Sequence, residues 1–301
     1  MFQGLSAFPL TPLDETGVNE QEFIPLIERL VSAGVDSIGV LGSTGNYAYL
    51  TRAQRERVLQ LAVQAAGDTP VMTSISALRT LDVLHLAEDA QRAGAGAVLL
   101  APVSYQPLTD EEVIHLYEQV SCNLSVPLCV YDNPNTTHFR FSDELHGRIA
   151  QLPNVGAIKI PGVPAGAEAA GLRIENLREL VPSRVALGIS GDPSAAAGIK
   201  AGCEVWFSVL GGLLPKTCLQ LTRLVQAGRE EEAEQISILL EPLWAVFRQY
   251  GSLRVASAIA QQLGFISSPA LLLPLLPLSS AVNDQLAAAL REITVLEGLQ
   301  C

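Results

Sequence analysis

From Gly4 to Leu210, short runs rich in aliphatic and β-branched residues alternate with segments of helical period, and they do so eight times. The strand candidates lie near Gly4 to Pro9, Ser37 to Leu41, Val71 to Ser74, Val98 to Ala101, Pro127 to Tyr131, Gly156 to Ile160, Val185 to Ile189 and Val205 to Leu210. Their nearly continuous apolar character suits strands covered on both faces, and strict strand and helix alternation suits a parallel sheet. Eight such units within roughly 225 residues match a closed (β/α)8 barrel in number and size. A doubly wound sheet has fewer strands and a reversal in strand order. The expected fold class is therefore α/β, a (β/α)8 TIM barrel.

Helix starts are signalled at Asn19 with Glu22, Thr51 with Gln54, and Thr109 with Glu112. Each pair sets a side-chain acceptor at the N-cap and a carboxylate or amide three residues on, the spacing of a reciprocal capping box. The sixth crossover, about Ala165 to Leu180, is interrupted by Gly171. Beyond about Ala227 only helical patterns remain: GREEEAEQISILLEPLWAVFRQYG, SLRVASAIAQQLG and SSAVNDQLAAALREI. The acidic run that opens the first reads as a solvated helix start, carboxylates near the positive end of the dipole. The expected organisation is a barrel over 1–226 that carries the active site and a C-terminal helical bundle over 227–301 packed on it.

Composition narrows the partners. The formal charge of -12 argues against nucleic acid and anionic membrane, and no apolar run reaches membrane-spanning length. A small-molecule partner is expected. Cysteines 122, 129, 203, 218 and 301 form neither a CxxC pair nor a dense disulfide spacing, which suits a reducing cytoplasm. The start MFQGLSAFPLTP lacks the features of a signal peptide, so the mature chain is expected to begin near Met1.

In such a barrel the active site forms at the carboxyl ends of the strands. LGSTGNY, YDNPNTT, Lys159, SGDPS and LGGLLP all fall at that end. Lys159 lies in the apolar run NVGAIKIPG. Burial disfavours a charged amine, and a neutral amine attacks a carbonyl to form a Schiff base; alternatively the lysine snorkels to solvent or pairs with an acid. In GSTG, Gly42 and Gly45 permit close backbone approach, and the hydroxyls of Ser43 and Thr44 suit a carboxylate; the same stretch also reads as an ordinary turn. Tyr131 is placed to exchange protons near an amine, or else closes one end of the core. Histidines 85, 115, 138 and 146 show no metal-ligand spacing, and His146 reads as a helix-face residue. No dinucleotide fingerprint, P-loop or nucleophile elbow is present.

Together, GSTG after the second strand, YDNP closing the fifth and AIKIPG in the sixth resemble the dihydrodipicolinate synthase and N-acetylneuraminate lyase family of class I aldolases. The resemblance spans almost the whole chain, with 28 residues from Tyr131 to Lys159 as in the family. It implies that Lys159 forms a Schiff base with pyruvate or another 2-keto acid. Tyr131 would relay protons, and Ser43, Thr44 and Gly45 would hold the keto-acid carboxylate, with Ser43 and Thr44 also helping to place the tyrosine. Gly191 in SGDP is a further substrate-side position. It implies no metal or organic cofactor, and a homotetramer or homodimer.

Several positions depart from the family pattern. Thr136 stands where the synthase branch has an arginine that grips the second substrate's carboxylate, and Arg140 lies four residues later. Threonine offers no bidentate cation. Asn46 replaces the glutamate of GxTGE, Asp132 the asparagine after the tyrosine, and Val103 and Ser104 a pair of aromatics, with Tyr105 one place late as a relay and substrate-side candidate. The expected function is a Schiff-base lyase acting on a small 2-keto acid, by aldol cleavage or condensation, or by loss of water or ammonia. The alternatives are a dihydrodipicolinate synthase proper, disfavoured by Thr136, a non-catalytic keto-acid-binding protein, and a barrel enzyme with a phosphate clamp near strands seven and eight.

Overall fold

A computed structural model describes residues 1–299, so Cys301 lies outside the described residues. Eight parallel strands close into a barrel: β1 (Gly4–Ala7), β2 (Ser37–Val40), β3 (Val71–Ser74), β4 (Ala97–Leu100), β5 (Leu128–Tyr131), β6 (Val155–Ile160), β7 (Ala186–Ile189) and β8 (Val205–Ser208). β1 closes the ring by pairing with both β8 and β2. The strands end up to two residues earlier than the sequence suggests at β1 and β8, because apolar residues continue beyond the strands into the loops.

Helices α1 (Glu20–Ala33), α2 (Arg52–Ala66), α3 (Thr80–Arg92), α4 (Asp110–Ser121), α5 (Asp143–Ala150), α6 (Ala167–Leu180), α7 (Ala195–Lys200) and α8 (Pro215–Gln226) surround the barrel. α6 runs unbroken through Gly171, which faces open space. Full capping boxes open α2 and α4. At α1 only half the box forms: Asn19 accepts from the Glu22 amide, while the Asn19 amide donates to Pro12 and the Glu22 carboxylate accepts from the Ser267 amide. A tertiary contact has taken the partner that local spacing assigned.

Alternation along each strand divides the apolar residues into two cores. Leu128, Val130, Ile158, Ile160, Leu187, Ile189 and Trp206 face the helices. Met72, Ala97, Leu99, Cys129, Tyr131, Ala157, Val205 and Phe207 fill the barrel interior together with Phe8. A side chain on the inner set is therefore carried on a closed ladder, the most rigid part of the fold, with its orientation fixed by the period of two.

The C-terminal segment forms α9 (Glu230–Tyr250), α10 (Ser252–Gln262) and α11 (Ser280–Glu297). α9 and α11 pack on α8, and the buried Glu297 carboxylate accepts from the Thr217 amide at 2.7 Å. α10 packs against the turn 43–45, and the Asn46 amide donates to the Ala270 carbonyl at 3.1 Å. The appended helices thus buttress the loop after β2.

Candidate active site

The inner face of β6 carries Ala157 and then Lys159, whose side chain is 3% exposed. Its amine lies 3.8 Å from the centre of the Phe8 ring, 4.2 Å from Tyr131 and 5.5 Å from Phe207. Desolvation in this setting pushes the amine down to about 8, against the smaller upward pulls of Cys129 and Asp192. A useful minority of the amine is therefore neutral near neutrality and most of it is neutral a unit or more above 8, the state a nucleophilic lysine needs.

Tyr131 pairs in register with Lys159 on the neighbouring strand. Its phenol accepts a hydrogen bond from the Asn133 side-chain amide at 2.9 Å and stands 3.5 Å from the Ser43 hydroxyl, which the same amide reaches at 3.5 Å. Burial pushes the phenol up to about 12, with Ser43 and Asn133 pulling the other way and the nearby Tyr47 phenol adding to the rise. A neutral phenol and a partly neutral amine face each other, the separation of proton affinities that acid–base chemistry requires.

The GSTG turn is shaped by left-handed residues at both ends, Leu41 at φ 56° and Asn46 at φ 60°. Thr44 and Gly45 are buried, and the Thr11 hydroxyl donates to the Gly45 carbonyl at 2.8 Å. Of the two hydroxyls it is Ser43, not Thr44, that stands against Tyr131. Across the mouth, a Cβ at Gly191 would lie 3.1 Å from the Gly162 Cα, so the loops after β6 and β7 touch through bare backbone. Asp192 accepts from the Trp206 indole and the Leu210 amide, both at 2.8 Å, which ties the β7 loop to β8.

Two candidates lie elsewhere. Tyr105 is 90% exposed and lines an outer hollow of about 400 Å³ with Pro107, His138, Phe139 and Arg140. Thr136 is exposed, its hydroxyl donating to the Asn133 carbonyl at 3.3 Å. His146 lies on α5, as a helix-face residue should, and it is wholly buried, stacked on Phe141 at 4.8 Å, with Nε2 3.6 Å from the Asp132 carboxylate. The turn after β5 and helix α5 pack together, and α5 offers its histidine face to that contact rather than to solvent. Burial raises Asp132 to about 6 and lowers His146 to about 4.

Sequence reasoning missed Phe8, Phe207 and Asn133. The first two extend the inward alternation of β1 and β8, and glycines at 39, 42 and 188 leave room for their rings. That pattern was a usable signal. Among the described residues, no group of three or more His, Cys, Asp or Glu is placed to hold a metal ion, and no helix is long and apolar enough to cross a membrane. Cys122, Cys129, Cys203 and Cys218 are free thiols.

Residues 1–293 match the model of the dihydrodipicolinate synthetase family. A 4-hydroxy-tetrahydrodipicolinate synthase of Phenylobacterium zucineum is 28% identical over 294 residues, 97% of each chain. A crystal structure of dihydrodipicolinate synthase from Agrobacterium tumefaciens superposes with a TM-score of 0.93 at 46% identity, over 97% of this chain and 98% of that one. The chloride-inhibited dihydrodipicolinate synthase of Acinetobacter baumannii, solved with pyruvate, shares the fold at a TM-score of 0.88 and 23% identity over the full length of both chains.

Proposed function

This chain belongs to the dihydrodipicolinate synthetase family, and on that premise we propose that it is a Schiff-base lyase for which Lys159 is the nucleophile and pyruvate or another small 2-keto acid the substrate. The observation that carries this reading is the buried amine of Lys159, held down to about 8 and set 4.2 Å from the ring of Tyr131. The neutral nitrogen forms a bond to the keto carbon, the carbonyl π electrons pass to the keto oxygen, and a proton moves from the nitrogen to that oxygen, giving a neutral carbinolamine whose nitrogen keeps a lone pair. The C–O bond then breaks, the oxygen leaves as water after a second proton arrives, and the nitrogen lone pair forms the C=N bond of a cationic iminium. Tyr131 is the proton donor and acceptor for these steps, with Ser43 and Asn133 holding its oxygen. The turn formed by Ser43, Thr44 and Gly45 takes the keto-acid carboxylate.

Aldol cleavage or condensation, and loss of water or ammonia from a longer keto acid, all pass through the same iminium. A second reading, the condensation performed by the synthases it resembles, is favoured by those relatives' names. It is opposed by Thr136, which supplies no cation for a second carboxylate. Self-association as a dimer or tetramer belongs to this proposal, and Tyr105 is the exposed aromatic that a second copy would cover. The test is a turnover screen with pyruvate and aldehydes with and without a carboxylate, together with aldol products and hydroxylated keto acids. Pyruvate-coupled turnover of at least one non-synthase pair is expected, and uniform inactivity, with pyruvate bound tightly, overturns catalysis in favour of a binding protein.

A further inference from the structure

Three aromatic rings, Phe8, Tyr131 and Phe207, lie with their centres within 5.5 Å of the nitrogen of Lys159. Phe8 is nearest, with its ring centre 3.8 Å away, and Phe207 meets Phe8 edge to face at 6.0 Å and 86°. The space for both rings is kept open by glycine. A Cβ at Gly39 would lie 2.3 Å from the Phe8 ring and one at Gly42 2.7 Å from it. A Cβ at Gly188, the register partner of Lys159 on β7, would lie 2.3 Å from the Phe207 ring. Three backbone positions therefore forgo side chains where these rings sit.

Any apolar filler would exclude water from the amine. An aromatic face does more, because its quadrupole presents negative potential to a cation within about 6 Å of the ring centre. A neutral amine draws little from that potential, whereas the iminium carries a full positive charge shared between nitrogen and carbon. We propose that Phe8, backed by Phe207, is a catalytic residue whose ring face stabilises the cationic iminium on Lys159 and the transition states that enter and leave it. The inference rests on the Schiff-base reading above. The charge it acts on arises when water leaves the carbinolamine and is cancelled when the iminium loses a substrate proton to become the neutral enamine, so the ring favours the iminium over both neighbours. Tyr131 offers a face as well, but its hydroxyl exchanges protons; Phe8 has no polar atom, and its effect can be isolated.

The experiment replaces Phe8 with 4-fluoro-, 3,5-difluoro- and 3,4,5-trifluorophenylalanine, which keep the ring's shape and progressively weaken its quadrupole. The readout is the rate of pyruvate-dependent borohydride trapping at about pH 9, where the amine is mostly neutral in every variant. The rate is expected to fall stepwise along the series, about two- to thirtyfold in all. The acid limb of the pH profile moves to lower pH in parallel, since the ammonium loses the same support. Phe8→Leu provides a second variant without fluorine chemistry and is expected to lose at least as much. A flat series, with trapping otherwise intact, overturns the role of Phe8 and leaves the Schiff base standing. Absence of trapping in the unmodified protein overturns both.

Discussion

Tyr131 and Lys159 stand opposite each other on adjacent parallel strands, paired in register, with the amine 4.2 Å from the phenol ring. The backbone repeats the relationship one residue on, where the Asp132 amide donates to the Lys159 carbonyl at 3.0 Å. The proposed nucleophile and proton carrier are thus both set on the ladder rather than on loops, which holds their mutual geometry within the narrow tolerance such chemistry needs.

Because burial brings Lys159 down to about 8 and takes Tyr131 up to about 12, the two limbs of the pH profile are well separated. The rate of imine formation should rise tenfold per pH unit below about 8, as the ammonium loses its proton, and level off above it. Single-turnover trapping across the pH range measures this directly. A plateau already reached by pH 6 would show an amine far less charged than its surroundings imply.

The same depressed amine weakens the fold. Between about 8 and the ordinary 10.5 the unfolded chain binds the proton that the folded chain gives up, so stability contributed by this group rises with pH through that window. Lys159→Met removes the buried charge while keeping an unbranched side chain, and should stabilise the protein by about 3 kcal/mol near neutrality. In a chain of this size that is about 5 °C in Tm, with activity abolished. A calorimetric scan showing no gain would mean the amine is better solvated than its burial indicates.

Asn133 is expected to act through Tyr131. Its amide is the closest donor to the phenol oxygen, at 2.9 Å. Asn133→Ala should lower kcat about three- to tenfold, the worth of one neutral hydrogen bond, with little change in the affinity for keto acid. Tyr131→Phe removes the proton carrier itself and should cost about 10²- to 10⁴-fold. Equal losses in the two variants, or a loss in Asn133→Ala confined to KM, would place Asn133 in substrate binding instead.

Asp132 and His146 make opposing contributions to acid stability, with Arg173, Arg140 and Asp143 as the charged groups around them. Asp132, raised from 3.8 to about 6, holds a proton in the folded state that the unfolded chain has lost, so its contribution falls as pH rises through that range. His146, lowered from 6.5 to about 4, is protonated first in the unfolded chain, so its contribution rises across nearly the same range. In the intact protein the two slopes offset. Asp132→Asn should leave stability climbing between pH 4 and 6.5, and His146→Leu should leave it falling; denaturant titrations at three pH values distinguish these slopes.

The barrel and the candidate site residues were legible in the sequence because they follow local rules: period-two apolar runs, capping residues and a charge inside an apolar run. Lys159 and Tyr131 could be placed at the carboxyl ends of the strands by counting alone. What escaped depended on packing between elements. Glu22 abandoned its capping box for the Ser267 amide, contributed from 245 residues away. His146 could be read as a helix-face residue, but a helix period does not say what covers that face, and the cover is Phe141 from the preceding loop. Tyr105 reads from its position in a motif as the counterpart of an aromatic that crosses a subunit interface, and the β4 loop holds it exposed at the outer hollow. Phe8 lay within the expected first strand, with its amide donating to the Ser208 carbonyl at 2.8 Å, but its meaning came only with the glycines that clear its ring.

The most direct measurement is peptide mass mapping after borohydride reduction in the presence of pyruvate, on the intact sequence and on Lys159→Ala. The account predicts one pyruvate-derived adduct, on the peptide that contains Lys159, and none in the variant. An adduct on Lys200 or Lys216, or the same labelling with and without Lys159, would contradict it.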